Sequence, residues 1–166
     1  SFSLLSKDDP SLLFINAGMA PFKNFFLGEK IPPSKNIVTI QKCLRISGKH
    51  NDLENVGRTS KHHTFFEMMG NFSFGGYFKE IACELAWEFL TKEVNIPQEK
   101  LWIAIVKDDE EVFKIWHHKI GIPQERIKKY PLKELFWEMG EIGPCGSCSE
   151  IYYDYGIECK YKNSDC

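Results

Sequence analysis

At 166 residues, with 43% apolar and 27% charged side chains, the chain is long enough to bury one core and has an ordinary globular make-up. A formal net charge of −2 removes any global basic signal, so a nucleic-acid contact would need a local patch. No apolar run nears the roughly 20 residues that span a bilayer, so no membrane partner is expected, and the six cysteines point to a reduced, cytoplasmic setting rather than a disulfide framework.

The apolar run Leu12-Leu13-Phe14-Ile15 reads as a buried strand broken by Asn16-Ala17-Gly18. Residues 37–46, IVTIQKCLRI, carry the β-branched enrichment of a strand. Residues 64–74, TFFEMMGNFSF, read as a second strand, and between the two lies a long polar loop with only Leu53 and Val56 as aliphatic side chains. Two strands so joined predict an antiparallel pair, and a loop of that length within a compact domain points to function. Residues 77–90 predict an amphipathic helix whose inner face would be Phe78, Ile81, Ala82, Leu85, Ala86, Phe89 and Leu90. LWIAIV, residues 101–106, predicts a buried strand. Asp108 predicts the cap of the next helix, with Glu111 completing a capping box, Val112, Ile115, Trp116 and Ile120 facing inward, and Gly121 ending it. Residues 143–146, GPCG, predict a turn, and Ile151-Tyr152-Tyr153 a short strand. Without βαβ regularity the pattern predicts an α+β fold with a largely antiparallel sheet.

The polar loop carries the chemistry. Arg45 stands just before it, and Lys49, His50, Arg58, Lys61, His62 and His63 lie along it, partly offset by Asp52 and Glu54. A cation cluster of this kind suits a polyphosphate, arginine giving forked contacts and lysine a point charge. The alternative is a solvated hairpin loop with incidental charge. No Walker-type glycine loop is present, which argues against a P-loop nucleotidase.

GKHNDLENVG at 48–57 followed by HHTFFEMMGNFSFG at 62–75 resembles the motif 2 region of alanyl-tRNA synthetases. LLFINAGM at 12–19 and FWEMGEIGPCGSCSEIYYD at 136–154 resemble two further segments of that family, in the same order. The resemblance implies a class II synthetase core, an antiparallel sheet flanked by helices, over residues 1–157, with 158–166 beginning a polar, cysteine-containing loop or insertion. It also implies a core cut short at both ends, so that the isolated chain would not charge tRNA. The implied reaction joins alanine and ATP into alanyl-adenylate and passes the alanyl group to tRNA(Ala). The nucleophile, a carboxylate, is already ionised, so such a site must supply alignment and charge neutralisation rather than a general base.

By that resemblance Arg45 is the motif 2 arginine bridging α-phosphate and substrate carboxylate, assisted by Lys49. His50, Arg58 and His63 join them around ATP, Phe65 stacks on adenine, and Mg²⁺ accompanies the phosphates. Trp137 and Met68 would wall the amino-acid pocket, although either could simply be core. Cys145 and Cys148 have a metal-like spacing but supply only two of the four ligands a structural zinc site wants. Cys159 and Cys166 resemble the start of a cysteine-rich insertion, which would bring Zn²⁺ to a longer parent. The rival readings are a non-catalytic synthetase-like paralogue acting as a binding module and a small RNA-binding domain. Intact Arg45, Lys49, Phe65 and Trp137 argue against the first, and the absence of a basic stripe argues against the second.

Overall fold

A computed structural model describes residues 1–6, 12–46, 55–140 and 143–156. The expectations on Lys49, His50, Cys159 and Cys166 therefore lie outside the described residues. The chain packs as two compact units that divide between Gly76 and Tyr77.

The first unit is built on the expected hairpin. Strands β1 (Asn36–Leu44) and β2 (Phe65–Ser73) pair antiparallel from Asn36↔Ser73 to Leu44↔Phe65. Side chains alternate across the pleat, so Gln41, Cys43, Phe66, Met68 and Phe72 share one face, and Val38, Ile40, Phe65 and Met69 the other. The first face is covered. A short helix, α1 (Lys23–Phe26), follows a single tight turn at Ala20–Phe22. Phe22, at the end of that turn, is buried with its ring 4.7 Å from Phe72 and 5.5 Å from Phe2, and Phe26 lies 4.7 Å from Phe74. The high aromatic content thus builds this unit's core. Residues 12–15 do not form the full strand the apolar run predicts. One bridge joins Leu5 to Phe14, and the Ile15 carbonyl accepts from Leu44 N–H at 2.9 Å, laying the segment beside the end of β1. Gln41 is fully buried. Its Oε1 accepts from Phe2 N–H at 2.7 Å while its Nε2 donates to the Phe2 and Lys42 carbonyls, so a side chain substitutes for a strand partner.

Gly70 shows how tightly the covered face is filled. A Cβ there would lie 2.6 Å from the Phe72 ring and 3.2 Å from Thr39 Oγ1. Gly70→Ala is expected to lower stability by about 1–3 kcal/mol through overpacking, measured as a drop in the urea midpoint. An unchanged midpoint would mean that Phe72 can move aside.

The second unit centres on β3 (Leu101–Val106), whose hydrogen bonds run parallel to β4 (Ile127–Tyr130) and antiparallel to β7 (Glu150–Tyr153). Its order contains one βαβ unit within the α+β arrangement. Helix α3 (Glu110–Lys114), extended by a wider π-helical stretch over Ile115–Ile120, crosses from β3 to the parallel β4. Gly121 ends it at φ 89°, as a residue without Cβ can. The cap is Asp109 and not Asp108. Asp109 Oδ1 accepts from Val112 N–H at 3.0 Å, placing the side-chain oxygen three residues before the amide it satisfies.

Ile103, Ile105, Val112, Ile115, Trp116, Ile122 and Ile127 form the core together with Cys83 from α2 (Lys79–Glu88). Helix α2 buries a different stripe from the predicted one. Cys83 is buried and Trp87 packs edge-on to Trp116 at 6.2 Å, while Phe78, Ile81, Leu85 and Phe89 are exposed. The helix is apolar around most of its girth, so periodicity alone does not choose the inner face. A second hairpin joins β5 (Phe136–Glu138) to β6 (Cys145–Ser147). Among the described residues no helix is long and apolar enough to cross a membrane.

Candidate functional site

The hairpin carries the candidate site at its open end. Arg45 follows β1, where its backbone N–H donates to the Thr64 carbonyl at 2.8 Å, extending the strand pairing by one step. Its guanidinium is held from two sides. Nε donates to the Asn16 carbonyl at 3.1 Å, and the group lies over the Phe66 ring, 5.1 Å from its centroid. Arginine suits both contacts because its planar cation can stack and donate at once. The forked terminal nitrogens are the donors it can offer to a ligand.

Arg45 and Phe66 line a cavity of about 200 Å³ together with Val56, Lys61, His62 and His63. As formed by the described residues it is smaller than the roughly 300–1,000 Å³ of a site that swallows a drug-sized ligand. Among the described residues its lining mixes cations with one aromatic wall and contains no carboxylate. It suits the anionic part of a ligand and a ring beside it.

The geometry brings Phe66, and not Phe65, beside Arg45. Phe65 is 53% exposed on the opposite sheet face, and Phe66 is the ring beside Arg45. The strand's two-residue period decides it: Phe66 pairs with Cys43, two residues before Arg45 and on the same face. Arg58 is exposed and outside the cavity lining, whereas His63 lines it. Met68 lies on the Phe66 face, but its sulfur accepts from Gly18 N–H at 3.1 Å and it is not among the lining residues. His62, which sequence reasoning did not single out from its neighbours, is half-buried in the lining.

In the second unit Trp137 is 37% exposed on β5, directly opposite Gly146 of β6. A Cβ on Gly146 would lie 3.7–3.9 Å from the indole, so the ring lies across the glycine. Cys145 and Cys148 are both free thiols. Cys148 donates to Glu150 Oε1 at 3.6 Å; burial, together with the adjacent carboxylate, pushes its thiol up to about 11. It therefore stays protonated at neutral pH. Among the described residues no group of three His, Cys, Asp or Glu could hold a metal ion.

The sequence matches the family of class II tRNA synthetases (A) over residues 1–165. The chain belongs to the class II tRNA synthetase family. Its curated relatives include the alanine–tRNA ligases of Neorickettsia sennetsu and Francisella philomiragia, each 57% identical over 156 residues. That of Idiomarina loihiensis is 55% identical over 158 residues. These alignments cover 94–95% of this synthetase chain but only 18% of each relative's length. The resemblance read from the motif 2 segment thus holds along nearly the whole synthetase chain, and its α+β architecture agrees with membership.

Proposed function

We propose that this chain is the ATP-gripping part of an alanine–tRNA ligase, which activates alanine to alanyl-adenylate and transfers it to tRNA(Ala). The observation that carries this reading is the Arg45 guanidinium, stacked on Phe66 at the mouth of a cation-lined cavity. The named relatives supply the amino acid. Arg45, fixed through Nε, holds its terminal nitrogens for the α-phosphate and the attacking carboxylate, so charge is neutralised by a group that does not reorganise during the step. Lys61 supplies positive charge for the outer phosphates, with the His62 and His63 rings beside it in the lining. Phe66 offers its ring to adenine, in the role the sequence assigns to Phe65. Lys49 and His50 are proposed to assist from the loop, and Arg58 stands ready as a further cation beside it.

The cavity's described lining has no carboxylate, so it would meet phosphate oxygens directly; Mg²⁺ enters as the counter-ion of the substrate ATP. The described sulfurs do not fit a zinc site, and no step involves zinc. In the second unit the Trp137 ring, beside Gly146, is suited to bound a small aliphatic side chain. A wall of this kind excludes bulk but discriminates single methyl groups by only about 1–3 kcal/mol. The reading is tested by alanine-dependent ATP–pyrophosphate exchange in the complete polypeptide, with Trp137→Ala alongside. Exchange specific for alanine, with discrimination against glycine reduced in the variant, is expected. Exchange driven by a different amino acid would refute the assignment.

A further inference from the structure

The π-helical extension of α3 carries two adjacent imidazoles, His117 and His118, that alanine activation does not use. We propose that they chelate one divalent first-row transition ion of the Cu²⁺ or Ni²⁺ class, with water completing its coordination. Neither residue belongs to the nucleotide site proposed above, so the two readings stand or fall separately.

The two ring centres lie 4.7 Å apart, with planes inclined at 48°. An ion about 2.0–2.1 Å from one nitrogen of each ring sets ring centres roughly 4.5–5.5 Å apart, for ligand angles between square and tetrahedral. Consecutive side chains on an α-helix diverge, but the wider π-helical turn over Ile115–Ile120 rotates less per residue and keeps these rings neighbours. His117 is already oriented. Its Nδ1 lies 2.8 Å from the Ile122 carbonyl, an oxygen that only accepts, so Nδ1 carries the proton and Nε2 keeps its lone pair. A ring N–H donated to a backbone carbonyl is the support that metal-ligating histidines use. That carbonyl belongs to a fixed turn, since Ile122 N–H donates to the Trp116 carbonyl at 2.9 Å. Phe113 backs both rings, 5.3 Å from His117 and edge-on to His118 at 6.2 Å. His118 is exposed. Charge favours a cation here as well. The pair sits near the carboxyl end of its helix, where the macrodipole is negative. Lys119 is paired with Glu80 and Glu84, and Lys129, above Phe113, is paired with Glu110, which offsets their repulsion. Among the described residues no carboxylate or thiol completes a three-ligand group with the pair. Two imidazoles alone select borderline transition ions over Mg²⁺ and Ca²⁺, which take oxygen ligands.

The experiment titrates Ni²⁺ by calorimetry, at neutral pH and with Mg²⁺ in excess, into the complete synthetase polypeptide and its His117→Gln and His118→Gln variants. One Ni²⁺ equivalent of the unmodified polypeptide should weaken by about 10–100-fold or more in each variant, at least the loss that follows removal of a supporting contact at a metal site. Position is read separately. With Cu²⁺ and ascorbate in air, oxidised histidine mapped by mass spectrometry should concentrate at 117 and 118, and substitution of either should protect the other. Weakening in only one variant would show a single surface imidazole. Unchanged binding in both would show rings that merely pack on Phe113, and either result overturns the chelate. Should thermal unfolding show that His117→Gln does not fold, His118→Gln, at its exposed position, decides instead: both Ni²⁺ affinity and oxidation at His117 must fall with it.

Discussion

Arg45→Ala in the complete polypeptide is expected to lower the rate of alanine activation by about 10²–10³-fold, the loss typical of one preorganised charge-stabilising donor. The expectation follows from how the side chain is held. With Nε bonded to the Asn16 carbonyl and the guanidinium resting on Phe66, the terminal nitrogens need no reorganisation when charge builds on the phosphate. Arg45→Lys should recover only part of the loss, since an ammonium reproduces neither the fork nor the stacking. The substitution lies beside the cavity and outside the ring cluster around Phe22, so the folded state should survive it. Steady-state ATP–pyrophosphate exchange gives the rate, and thermal unfolding checks integrity. A loss under threefold in a folded variant would mean that another group neutralises the transferring phosphate.

The largest effect on stability is expected at Trp116. It is 2% exposed, packs edge-on to Trp87, and its Nε1 donates to Ser149 Oγ at 2.9 Å. Ser149 in turn donates to the Ala104 carbonyl at 3.0 Å, so one indole ties the α3 extension to β3 and to the residue just before β7. Trp116→Ala should cost about 3–5 kcal/mol, much of the about 5–15 kcal/mol that holds a typical domain together. Trp116→Phe keeps most of the volume and loses the donor, and should fall between. Urea unfolding would show the midpoint moving with an unchanged slope if the two-state description holds. A Trp116→Ala midpoint close to wild type would show that the core around Ile103 and Ile115 collapses onto the space.

The strongest sequence patterns were those set by composition over several residues. The β-branched run before Arg45 and LWIAIV became β1 and β3 because such residues pack on a pleated, buried surface. Gly121 ended its helix because the left-handed turn there suits a residue without Cβ. The failures have physical causes too. Strand β4, IKKY, carries two lysines, so only its parallel pairing to β3 makes it a strand. Strands β5 and β6 span three residues each, too short for any period to register. Helix α2 has apolar residues on nearly every side, and its inner face was decided by Trp87 meeting Trp116. At the site, the cation cluster and Arg45 were readable as chemistry. Which of Phe65 and Phe66 lies beside Arg45 was not, because it depends on register, and a single-residue step turns a strand side chain to the other face. Which loop side chain lines the cavity depends on the turn from Asn55 to His62, held by backbone hydrogen bonds that composition does not encode.

The tie between Gln41 and Phe2 gives the first unit an order of assembly. The hairpin can zip from contacts between β1 and β2, but Phe2 gains its two backbone bonds only after closing a loop of 39 residues onto an amide already in place. Parting Phe2 from β1 would therefore leave a buried amide oxygen without the one acceptor bond it makes among the described residues, at a cost of about 1–3 kcal/mol that holds the segment down.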